Sequence, residues 1–110
     1  MAVDNSKVVD FVGVDKTSGE VVLTVSDHLE WTDSVSHQTI LQAKLNSYLA
    51  FVESGELLQE YSDAKGRLVA FNIIFKFEPD AQGRRFLDRA KVAIEGAGFT
   101  LTYEVSADIV

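Results

Sequence analysis

Arg67-Leu68-Val69-Ala70-Phe71-Asn72-Ile73-Ile74-Phe75-Lys76-Phe77, then Glu78-Pro79-Asp80, and then Phe99-Thr100-Leu101-Thr102-Tyr103-Glu104-Val105 is the stretch that decides the fold. In the first run Val69, Phe71, Ile73, Phe75 and Phe77 alternate onto one face, the period of a strand. Pro79 and Asp80 stop it and open a helix from about Asp80 to Gly96. The helix's apolar stripe is Phe86, Leu87, Ala90, Ala93, Ile94 and Ala97, and Gly96 and Gly98 stand where a left-handed cap would close it. Phe99, Leu101, Tyr103 and Val105 then alternate with polar residues, a half-buried strand. Strand, helix and strand in this order fit a right-handed crossover with the two strands parallel.

Working back toward the N-terminus, Val35 to Ser54 predicts a longer helix. Ile40, Leu41, Leu45, Tyr48, Leu49 and Val52 recur at spacings of three and four, and Gly55 follows as a cap. Thr32, Asp33, Ser34 and Ser36 offer oxygen acceptors to its first free amides. Leu57, Leu58 and Tyr61 predict one further short helical turn. Ahead of this helix, Val8–Val14 and Glu20–Val25 are β-branched runs joined by Asp15-Lys16-Thr17-Ser18-Gly19, the pattern of a β-hairpin. The order β-β-α-β-α-β over residues 1–110 predicts a single two-layer α+β domain. Its four-stranded sheet is mostly antiparallel or mixed, with two helices on one face.

Composition narrows the function classes. The chain has 110 residues, 46% hydrophobic and 25% charged, which is the balance of a folded protein rather than a disordered one. No cysteine is present, so disulfides, thiolate metal sites and a cysteine nucleophile are all excluded. Neither a secretory signal nor a run of membrane-spanning length appears, and a cytoplasmic location is the simplest expectation. A net charge of −7 argues against nucleic-acid binding. The charge is uneven: residues 1–63 hold eleven acids and three bases, whereas residues 64–110 hold six acids and seven bases. That asymmetry serves solubility, or steers a cationic partner toward the N-terminal half.

The strands carry apolar residues at even positions (Val8, Val12, Val14, Val22, Leu68, Ile74) as well as at odd ones. With both helices on one side, the second sheet face is expected to pair in a homodimer, or to be covered by the termini and Leu57–Tyr61.

The densest polar cluster is Asp27, His28, Glu30, Trp31, Asp33 and His37. Carboxylates and imidazoles of this kind suit a ligand site or a divalent metal, yet no metal-ligand spacing is present. The competing reading has Asp27 and Asp33 making turn and capping bonds while Trp31 anchors the loop in the core. No catalytic residue, metal or cofactor is called for. The serines lack a G-x-S-x-G elbow, the glycines form no phosphate loop, and Asp10 and Asp15 fall on opposite strand faces. Arg84 and Arg85 suit an anion or a solvated helical face, and Asp88 stands four residues from Arg84, within pairing distance.

Several of these segments carry a resemblance. Val9-Asp10-Phe11-Val12-Gly13-Val14-Asp15, Gly19-Glu20-Val21-Val22-Leu23-Thr24-Val25-Ser26-Asp27-His28-Leu29-Glu30-Trp31, His37, Leu41–Leu49, Phe51–Leu57 and Phe86-Leu87 are similar to a small uncharacterised bacterial family. The resemblance spans most of the chain and implies a bacterial domain of unknown function, with no activity attached. The function expected is a non-catalytic interaction or accessory module with a protein partner. The alternatives are a small enzyme or metal-binding protein using the Asp27–His37 loop, and an immunity-type inhibitor of a basic toxin.

Overall fold

The computed structural model describes residues 11–106. Strand β1 (Phe11–Val14) and β2 (Val21–Asp27) form the hairpin, and α1 (Ser34–Glu53) and the short α2 (Glu56–Glu60) follow. A 3₁₀ turn (Ser62–Ala64) leads to β3 (Val69–Phe75), α3 (Ala81–Gly96) and β4 (Thr100–Val105). The sheet order is β1-β2-β3-β4. β1 runs antiparallel to β2, while β2–β3 and β3–β4 are parallel, so the sheet is mixed. The first strand is expected to begin at Val8, which lies outside the described residues. Among the described residues no helix is long and apolar enough to cross a membrane.

Local chemistry accounts for these boundaries. The hairpin turn closes on Asp15, whose Oδ1 accepts the Thr17 N–H at 2.7 Å and the Ser18 N–H at 3.2 Å. α1 ends where Gly55 takes φ of 91°, a backbone conformation that costs a glycine little and starts α2 at a new angle. α3 begins at Asp80, whose side chain accepts the Gly83 N–H at 2.7 Å.

Because β2, β3 and β4 advance across the sheet in one direction, right-handed crossovers place α1 and α3 on the same face. The core lies between them: Val21, Leu23 and Val25 of β2, Phe71, Ile73 and Phe75 of β3, and Leu101 of β4 pack against Leu41, Leu45 and Tyr48 of α1 and Leu87 and Ile94 of α3. The Tyr48 hydroxyl, sunk in this layer, donates to the Thr24 carbonyl at 2.8 Å. Burying a buried-face residue of this size contributes about 1.5–3 kcal/mol.

Three expectations from the sequence change here. First, Val12 and Val14 stand opposite Leu23 and Val21, so the antiparallel register turns them toward the helices. Even and odd positions keep their face only within one strand; the hairpin resets them. The second face therefore presents Phe11, Val22, Thr24, Ser26, Ala70, Asn72, Ile74, Thr102 and Glu104, with Asn72 bonded to Thr102 at 3.1 Å and Glu104 at 3.4 Å. Second, the buried stripe of α1 is His37, Leu41, Lys44, Leu45 and Tyr48, while Ile40, Leu49 and Val52 are only half-buried. Lys44 is fully buried, with its ammonium 5.4 Å from the centre of the Tyr48 ring. Third, the Arg84 guanidinium makes no ion pair with Asp88 and instead donates to the Pro79 carbonyl at 2.8 Å.

Candidate functional site

β2 ends on Asp27, the last of its four core-facing residues, and the chain then crosses the top of the sheet to α1. This is the carboxyl end of the parallel strands, the usual place for ligands in open α/β sheets. His37 lies one turn inside α1. Helical geometry points it at the end of β2, where its Nε2 meets Asp27 Oδ2 at 2.6 Å. Both side chains are closed to solvent, at 2% and 0% exposure. The other ring nitrogen, Nδ1, faces the Glu30 carbonyl oxygen at 3.1 Å. The Glu30 carbonyl can only accept, so Nδ1 donates to it, and a hydrogen on either partner joins Nε2 to Asp27, which leaves both ring nitrogens engaged. Asp27 Oδ1 accepts the Leu29 N–H at 3.0 Å, which turns the chain immediately after the strand.

Trp31 closes this arrangement from above. Its indole stacks on the His37 ring with centroids 3.7 Å apart and planes 22° from parallel. The other indole face meets Gly83 in the first turn of α3, so closely that a Cβ there would lie 2.7 Å from Cζ3. The indole N–H donates to the Phe77 carbonyl at 3.3 Å, and the Phe75 ring supports it from the sheet at 5.8 Å. Beside it, Asp80 Oδ1 accepts both the Gly83 N–H and, at 3.0 Å, the Ser34 hydroxyl, which ties the first turns of α1 and α3 together. Asp33 caps α1: its Oδ1 accepts the Ser36 N–H at 3.1 Å and its Oδ2 the Ser36 hydroxyl at 2.9 Å. Those bonds hold the Asp33 carboxyl below its ordinary range, the backbone bond contributing most.

Of the residues singled out by sequence, Asp27, Trp31 and His37 converge into one unit, and Glu30 joins it through its main-chain carbonyl while its side chain is exposed. His28 is half-buried and its Nδ1 makes no hydrogen bond among the described residues. Among the described residues no group of three His, Asp or Glu side chains is placed to hold a metal ion. Sequence reasoning missed Gly83, Ser34 and Asp80 as partners of this unit. Asp80 was legible as a helix cap after Pro79, but its reach to Ser34 needs the packing of α1 beside α3.

Fold and site together define a small α+β domain in which the strand-end position is filled by its own tryptophan, histidine and aspartate. The chain belongs to DUF6572, a family of unknown function, whose model matches residues 1–107. No curated protein and no solved structure matches the chain.

Proposed function

We propose that this protein is a non-catalytic interaction module, and that Asp27, His37 and Trp31 hold its loop in place rather than turn over a substrate. The observation that carries the reading is the saturation of His37. Asp27 and the Glu30 carbonyl engage its two nitrogens and Trp31 covers its face, so no ring atom is left to take a proton from a substrate or to bind a metal. A general base needs such an atom within hydrogen-bond reach of the reacting group.

The test combines stability with metal titration. Asp27→Asn and His37→Gln are each expected to destabilise the fold by about 3 kcal/mol, because each leaves a buried polar partner uncompensated. The double variant is expected to cost less than the sum. Urea unfolding measures both. Variants that unfold like the wild type would remove the structural role. Calorimetric binding of zinc or manganese that vanished in His37→Gln would favour the metal-binding alternative instead.

A further inference from the structure

The stripe on α3 is wider than the surface that covers it. Leu87 and Ile94 are buried, but Phe86 and Ala90 are only half-buried and Ala93 is exposed. These three residues form one wall of a groove of about 370 Å³ whose other wall is α1. The α1 wall is uncharged and carries Gln38, Gln42 and Asn46, at steps of four residues. Among the described residues, Arg89 is the only charged one lining the groove. It is exposed, and it makes no hydrogen bond or ion pair among the described residues. On a chain of net charge −7, this groove is a cationic, apolar-floored strip to which no described residue brings a carboxylate.

Two features specify the occupant. Four helical residues advance about 6 Å, close to the roughly 6.6 Å covered by two residues of an extended chain. A row of primary amides at that spacing can exchange hydrogen bonds with every second residue of such a chain, since each amide both donates and accepts. Gln42 and Asn46 are exposed and make no side-chain hydrogen bond among the described residues, so they are available for it. The unpaired guanidinium calls for a carboxylate at one point along the chain. We infer that the α1–α3 groove binds an extended peptide segment of a partner protein, apolar at alternate residues and bearing a carboxylate opposite Arg89. This rests on the interaction-module reading and names its surface and the chemistry of its partner.

The probe is a set of blocked heptapeptides of alternating leucine and serine, with glutamate, glutamine or lysine at the centre, titrated into the ¹⁵N-labelled full chain. The expected result is saturable shifts at the side-chain amides of Gln38, Gln42 and Asn46, with the glutamate peptide about tenfold tighter than the lysine peptide. Arg89→Gln, at an exposed position, is expected to erase that preference while leaving weak binding. The inference is overturned if no peptide shifts the groove up to millimolar concentration, or if the preference persists in Arg89→Gln. It is also overturned, in favour of a small organic acid, if hexanoate alone shifts the groove as strongly as the glutamate peptide does. None of these results alters the unfolding and metal titrations of the Asp27–His37 unit, so the two readings fail separately.

Discussion

Replacing Gly83 by alanine is expected to destabilise the protein, against the ordinary preference of helices. In a helix interior the change is worth up to about 1 kcal/mol in favour of alanine, and less in the first turn where Gly83 sits. Here the new Cβ would fall 2.7, 2.9 and 3.1 Å from three carbons of the Trp31 ring. The ring cannot swing aside cheaply, because His37 stacks on its far face at 3.7 Å and its N–H is bound to the Phe77 carbonyl. Overpacking of this kind costs about 1–3 kcal/mol. The balance is a net loss of about 1–2 kcal/mol, or about 4–8 °C in melting temperature for each kcal/mol at this size. Urea unfolding followed by far-ultraviolet circular dichroism measures the loss. Trp31, the only tryptophan in the chain, reports locally through its emission. Gly96→Ala is the control, since no atom lies within 4 Å of a Cβ there, and it is expected to be neutral or slightly stabilising. Trp31→Phe, which removes the ring atoms in collision, is expected to cost less in the Gly83→Ala background than alone. A Gly83→Ala protein as stable as the wild type, with unchanged tryptophan emission, would refute the wedge.

Two further outcomes follow from the contacts. Tyr48→Phe removes the bond to the Thr24 carbonyl and is expected to cost about 1 kcal/mol or somewhat more in urea unfolding, since the acceptor stays buried. Asp33 has a folded-state pKa below its unfolded value, so its capping contribution is whole above the ordinary carboxylate range and disappears as pH falls through the lower folded value. Melting temperatures across the acid range are therefore expected to fall less steeply for Asp33→Ala than for the wild type.

Periodicity made the helices and strands legible. Asp80 and Gly96 bound α3 almost as the residues suggest, and the crossover rule anticipated the parallel β3–β4 pairing. The resemblance read from the hairpin, α1 and Phe86-Leu87 is matched by the family model over residues 1–107. What stayed hidden depends on contacts between elements. The facing of Val12 and Val14 is set by hairpin register, which alternation within a strand does not contain. Burial of Lys44 and His37 in the α1 stripe was masked because hydrophobicity scores both as surface residues. In the site, the cluster from Asp27 to His37 was visible as residue types close in sequence. Whether His37 keeps an unoccupied nitrogen depends on where the Glu30 carbonyl points, and no spacing encodes that.

The parallel ladder between β2 and β3 has a consequence for the nascent chain. When β2 leaves the ribosome its only neighbour is β1, and its inner edge stays unmatched until both helices after it and then β3 have been made. During that interval Val21, Leu23 and Val25 have no sheet partner on that side, so an early hairpin is sticky until the C-terminal half arrives to cover it. A circular permutant opened in the Asp15–Gly19 turn would thus carry β2 through translation alone, at the greater risk of aggregation.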